Sequence, residues 1–208
     1  MSRRNRAVLI GITLIGTAFL VLLDRDFVAP RWSDLLTSRV RTLGTDLDCY
    51  HGQSFSVARV VDGDTLHLDV ADAGGKVTKV RLIGIDAPEM GSGQRERMYY
   101  AEEATAGMKH LALGRRVTVY LDRQAGSRDR YDRLLAYLQL PDGRFLNEEL
   151  LSQGLAYADL RFKHGYYRKY TQLEASARAL KEGLWARVTL DQTPVWRQKR
   201  TQGSKDSD

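Results

Sequence analysis

RVVDGDTLHLDVADAGGKVTKVRLIGIDAPE, Arg59 to Glu89, alternates apolar and polar residues through two runs that turn signals separate. Asp62-Gly63-Asp64-Thr65 stands where one β-patterned run (Val57, Val60, Val61) gives way to a second. That second run puts Leu66, Leu68 and Val70 on one face and Thr65, His67 and Asp69 on the other, the period of a strand. A further run, Val77 to Ile85, carries Arg81 and stops at Asp86-Ala87-Pro88-Glu89, where proline restricts the preceding residue and ends simple continuation. Two strand ends therefore present acidic side chains. By alternation Arg81 and Asp86 point to opposite faces, so a bulge or strand end near Gly84 is required if both serve one site.

Asp-Gly and Asp-Ala-Pro are each ordinary turn sequences when taken alone. Together with Glu89 they form a set of oxygen donors suited to a hard divalent cation such as calcium or magnesium. The pattern is not an EF-hand, which needs oxygen donors at alternate positions, a central glycine and a closing glutamate. The four histidines are scattered, without the paired spacing or cysteine partner of a zinc site, so each reads as a surface residue rather than a ligand.

DGDT, RLIGIDAPE and, later, RYDRLLAY (Arg130 to Tyr137) resemble, in order, the three signature segments of the thermonuclease, or staphylococcal-nuclease-like, family. The similarity runs from about Ser54 to Trp185 and takes in YAEEA, NEELLSQGLA and the closing Gly183-Leu184-Trp185. The resemblance implies an OB-fold barrel with three helices. It also implies calcium coordinated by Asp64, Asp86 and the Ala87 carbonyl, catalytic roles for Arg81, Glu89 and Arg133, and Arg130 and Tyr131 beside the substrate's terminal phosphate or base. One departure is Asp132, where the family usually has glycine; it adds a negative charge next to Arg133.

The chain has 208 residues, enough for one domain with an adequate core plus extensions. Arg3, Arg4 and Arg6 precede an uncharged run, residues 7–23, of roughly 25 Å as a helix, within the lower limit for a membrane span. Residues 1–6 then form a cytoplasmic basic end, 7–23 a transmembrane signal anchor, 24–50 a stem, 51–187 the folded domain and 188–208 a polar disordered tail. A secreted form after signal cleavage is the alternative, and the arginine asymmetry places the domain outside the cytoplasm in either case. The single cysteine, Cys49, excludes an internal disulfide.

After Glu89, residues 91–94 read as a mobile loop, and Met98, Ala101, Thr105, Met108 and Ala112 recur at helical spacing up to Gly114. Strands follow at Arg116 to Asp122 and Leu134 to Leu140. Asn147 is a candidate N-cap for a short helix, and Tyr170, Leu173, Ala177 and Leu180 mark one face of a last one. Five short β-runs with one helix before the fourth and two after the fifth predict an α+β fold around a small antiparallel barrel.

The net charge of +6 supports a polyanionic partner only modestly. The stronger signal is local, for Arg128, Arg130 and Arg133 interleave with Tyr131 in one inter-strand loop, pairing phosphate contacts with a stacking ring. Phosphodiester cleavage needs a water, a base and positive charge where negative charge develops. The expectation is a calcium-dependent endonuclease acting on DNA and RNA, leaving 3′-phosphate ends by resemblance, with no obligate protein partner. The rivals are a noncatalytic OB-fold nucleic-acid-binding module and a protein whose acidic loops bind calcium for stability alone.

Overall fold

The computed structural model describes residues 46–205 other than 73, 92, 94 and 95. Chain contacts separate residues 1–39 from 40–208, and every described residue belongs to the second unit. The expected membrane span and cytoplasmic end, most of the expected stem and part of the expected mobile loop lie outside the described residues. Among the described residues no helix is long and apolar enough to cross a membrane.

All five expected β-runs are strands. β1 (Ser54–Val60), β2 (Thr65–Leu68) and β3 (Thr78–Leu82) join β5 (Arg116–Tyr120) and β6 (Leu134–Gln139) in a closed barrel ordered β1-β2-β3-β6-β5. The period-two alternation fills its interior: Leu66, Leu68, Val80, Leu82, Val117, Val119, Leu134 and Leu138 are all buried. The barrel is not wholly antiparallel, because β3 and β6 run parallel, with Val80 opposite Leu134 and Leu82 opposite Ala136. Outside it, β4 (Ile85–Asp86) pairs with β7 (Tyr157–Ala158), Asp86 facing Tyr157. Two residues are too few to show a period, so the sequence does not announce this pair.

The chain break expected near Gly84 is present. β3 ends at Leu82 and the chain turns through Ile83 and Gly84, where φ is +76° and an added Cβ would collide with the His164 ring. This turn restarts the alternation, and Arg81 and Asp86 meet.

The three expected helices are α2 (Ala101–Ala112), α3 (Leu146–Ser152) and α4 (Tyr167–Ala179). Met108 is core as expected, whereas Met98 precedes the helix and Leu180, just past α4, is 72% exposed. Asn147 does not cap α3: it sits inside the first turn, fully buried, accepting from the Leu138 N–H at 3.1 Å and donating to the Ile83 carbonyl at 3.0 Å. It thereby ties β6 to the turn that sets Asp86.

Order extends past both expected ends of the domain. Within the expected stem, α1 (Asp46–Tyr50) plants Tyr50 in the core at 2% exposure, its hydroxyl 3.1 Å from Thr78 Oγ1. The expected disordered tail instead forms α5 (Val195–Lys205) after a short 3-10 turn, Leu190–Gln192. Its polar composition hides the ion pair that anchors it: Arg197 donates to both oxygens of buried Glu174 on α4, at 2.7 and 3.0 Å.

His164 also departs from expectation, since it is buried rather than on the surface. Asp122 accepts from the Tyr137 hydroxyl at 2.6 Å, which leaves the phenolic oxygen to accept from His164 Nδ1, 3.0 Å away. Nδ1 of the ring therefore carries a proton. Burial holds its pKa below the ordinary histidine value, against the pull of Asp122 and Asp159.

Candidate active site

The turn between β1 and β2 is built by Asp62, whose Oδ1 accepts the backbone N–H groups of Asp64 at 3.0 Å and Thr65 at 2.8 Å. Gly63 is required by space, because a Cβ there would lie 2.6 Å from the Ala87 Cβ. The loop after β4 thus packs directly on this turn. Asp64 lies buried at the contact, accepting from the Ala87 N–H at 2.7 Å on Oδ2 and from the Thr65 hydroxyl at 3.0 Å on Oδ1.

Arg81 reaches from the end of β3, opposite Thr65 on β2, and its guanidinium spans the two metal-candidate aspartates. Nη1 is 2.7 Å from Asp64 Oδ2 and Nη2 is 2.9 Å from Asp86 Oδ1. Burial favours neutral forms of both partners. It pushes the Asp64 carboxyl up to about 8 against the pull of Arg81, while Asp64 and Asp86 overcome it to hold Arg81 above its ordinary value. The arginine is charged at every physiological pH.

Glu89 stands at the rim. The residue is exposed, but its carboxyl is pushed upward by partial burial and by Asp62 and Asp86, against the opposing pull of Arg81 and Arg133. A carboxylate raised toward neutrality is a better proton acceptor than a free one. Arg133 enters from the β5–β6 loop, clamped by Asp129 Oδ2 at Nε (2.8 Å) and Nη2 (2.7 Å), with Nη1 3.3 Å from the Thr65 hydroxyl.

The sequence-predicted set is therefore brought together in large part. Asp64, Arg81, Asp86, Ala87, Glu89 and Arg133 surround one rim of the barrel. Arg130 and Tyr131 lie at the loop tip, where Arg130 stacks 4.7 Å from the centre of the Tyr131 ring and Arg133 flanks it at 5.5 Å. Tyr131 is 62% exposed and open to a stacking partner. Arg128, expected as a phosphate contact, is a strut instead, bound by Asp46 at 2.8 Å and Asp72 at 2.8 Å. Asp132 has φ of +61°, the left-handed conformation that glycine adopts without cost, and its carboxylate lies 3.5 Å from Arg128.

Sequence reasoning missed Asp129, Arg161 and Trp196. Asp129 could have been found from its spacing to Arg133 within one loop. Arg161 and Trp196 both donate to Asp86, but a tryptophan in a polar tail 110 positions away gives no periodic signal.

Among the described residues no group of three or more His, Cys, Asp or Glu is placed to hold a metal ion. The donor set nevertheless fits a hard cation. A carboxylate has roughly four lone-pair positions. The Thr65, Ala87 and Arg81 contacts fill three on Asp64, and Arg81, Arg161 and Trp196 fill three on Asp86. Among the described residues each carboxylate keeps one position open.

Comparison with known proteins accords with this site. The family described as staphylococcal nuclease homologue matches residues 79–187. The chain is 35% identical to a thermonuclease of Staphylococcus hyicus over 135 residues, 64% of this chain and 76% of that protein. It is also 35% identical to an uncharacterized endonuclease of Escherichia coli O157:H7 over 153 residues, 70% of this chain and 82% of that one. A thermonuclease of Staphylococcus intermedius is 35% identical over 139 residues, covering 65% and 78%. With the barrel, the paired arginines and the acidic rim in place, the match has one meaning: this chain belongs to the family of staphylococcal nuclease homologues.

Proposed function

We propose that this chain, a nuclease by family, is a calcium-dependent endonuclease that hydrolyses phosphodiester bonds of DNA and RNA and leaves 3′-phosphate ends. The observation that carries this reading is the convergence of Arg81, Glu89 and Arg133 around two aspartates that each retain an open lone pair. A calcium ion held by Asp64, Asp86 and the Ala87 carbonyl would supply Lewis-acid polarisation of the phosphate. Arg81 and Arg133 present fork-shaped donors to the phosphate oxygens, a geometry lysine lacks. Glu89 takes the proton of the attacking water as its oxygen bonds to phosphorus. The bond from phosphorus to the 5′ oxygen breaks, and that oxygen takes a proton from solvent. Tyr131 and Arg130 offer a stacking face and a charge to the adjoining nucleotide. Every residue the noncatalytic rival would be free to lose, Arg81, Glu89 and Arg133, is present.

The purified protein is expected to degrade single-stranded DNA in calcium and to stop when calcium is chelated. Undiminished digestion in chelator would remove the metal from the mechanism. The apolar run 7–23 and its flanking arginines support an extracytoplasmic domain on a membrane anchor. A reporter fused after Asp208 should be active outside the cytoplasm and sediment with membranes in high salt; a soluble form lacking the first segment would instead show cleavage.

A further inference from the structure

Asp86 is held from three directions, and two of the holders come from parts of the chain that no motif marks. Arg81 and Arg161 donate to Oδ1 at 2.9 and 3.0 Å, and the indole Nε1–H of Trp196 donates to Oδ2 at 2.8 Å. Arg161 is itself fixed by Asp159, at 2.8 Å from both Nε and Nη2, and its guanidinium lies 5.1 Å from the centre of the Trp196 ring.

Trp196 is delivered by α5, which lies beyond the residues that match the family. The helix is anchored by the two hydrogen bonds of Arg197 to Glu174, and Arg197 also stacks on the rings of Tyr157 and Trp185 at 5.2 and 5.0 Å. Glu174 Oε1 in turn accepts the Ala158 N–H at 3.0 Å. Ala158 belongs to β7, the strand that pairs with Asp86. One short ladder therefore carries Asp86 on one strand and, through Glu174, the helix that reaches Asp86 on the other.

We propose that Trp196, supported by Arg161, is a positioning residue for Asp86, turning the carboxylate so that its one open lone pair faces the divalent cation. The inference rests on the cation reading above. Groups that hydrogen-bond a ligating carboxylate orient it, and their loss commonly lowers metal affinity 10- to 100-fold. Arg161 carries a charge whose removal by itself favours a cation, so Trp196 is the cleaner probe of orientation.

The test is calcium binding to the full chain by titration calorimetry, without nucleic acid. Trp196→Phe keeps a ring and loses the donor, and is expected to weaken calcium about tenfold. Trp196→His retains a five-membered ring with nitrogen at the matching position, and should restore most of that loss. Arg197→Gln unhooks α5 without touching Asp86, and should weaken calcium in the same sense. Unchanged or tighter binding in Trp196→Phe, or no recovery in Trp196→His, overturns the proposal, the latter because packing alone would then explain the loss. A parental chain that binds no calcium sinks the cation reading and this proposal with it, whereas a parent that binds and a Phe variant that binds equally sinks only the proposal.

Discussion

Glu89 and Arg133 should fail differently when replaced, because one handles a proton and the other holds a charge. Glu89→Gln keeps size and removes the acceptor, so turnover is expected to fall by about 10²- to 10⁴-fold with nucleotide affinity little changed. Arg133→Lys keeps charge but loses the fork that Asp129 aligns, so affinity and turnover should fall together. Steady-state cleavage beside nucleotide titration separates the two, and a Glu89→Gln protein cutting at the parental rate would exclude Glu89 as the base. His164 gives the pH dependence of stability. Its folded pKa is depressed, so the folded state binds fewer protons than the unfolded chain once pH drops below the unfolded histidine value of about 6.5. That stability is intact above this pH and is lost as pH falls through it. Melting temperatures between pH 7.5 and 5 should therefore decline more steeply for the parent than for His164→Gln; equal slopes would mean the ring charges in place without penalty.

Among the elements, α1 and α5 are the ones that reach the site's scaffold from outside the motif-bearing segments. Tyr50 is buried among core residues, and Asp46 ties the strut Arg128 to the chain's early part. A chain shortened to begin at His51 loses both, and removing a buried aromatic costs about 3 kcal/mol. For a domain of this size that corresponds to roughly 10 °C in melting temperature relative to a chain that begins at Val40. A scan showing no difference would mean α1 is packed but idle. The same elements show why the sequence is only partly legible. Leu66, Leu68, Val80 and Val119 declare strands because each run alternates beside water on one face and core on the other. Arg81 and Asp86 could be joined in advance because only a broken strand permits it. The α5 helix could not, since its hold on the fold comes from Arg197, Glu174 and Trp196 meeting over a long chain separation, with no apolar stripe to read. Arg128 illustrates the same limit: an arginine bound by two aspartates and one aimed at phosphate are identical in a sequence.

At the scale of the whole molecule, the count of 32 lysines and arginines overstates the positive surface open to nucleic acid. Arg128, Arg144, Arg161 and Arg197 are engaged by carboxylates away from the proposed phosphate contacts. With Arg81, Arg130 and Arg133 as the phosphate contacts, the logarithm of the binding constant should fall with the logarithm of salt at a slope of about −2, at roughly 0.7 per phosphate for single strands. Anisotropy of a short labelled oligonucleotide, bound to Glu89→Gln so that it survives, measures the slope; a value steeper than about −5 would require a broad basic face. The way the barrel closes has a consequence in time. Ser54 finds Thr118, 64 positions on, and β3 waits for the parallel partner β6, so the decisive pairings are distant in the chain. Loop entropy must be overcome before such contacts reward it, which makes folding slow relative to helical proteins of the same size. Arg133 stands at the entrance to the strand that completes the ring. While the chain emerges from the ribosome, the early hairpins can carry Asp64, Arg81 and Asp86 but no closed site. An enzyme that attacks nucleic acid thereby has no closed site beside the RNA that encodes it until Leu134–Gln139 has been made and the ring can close.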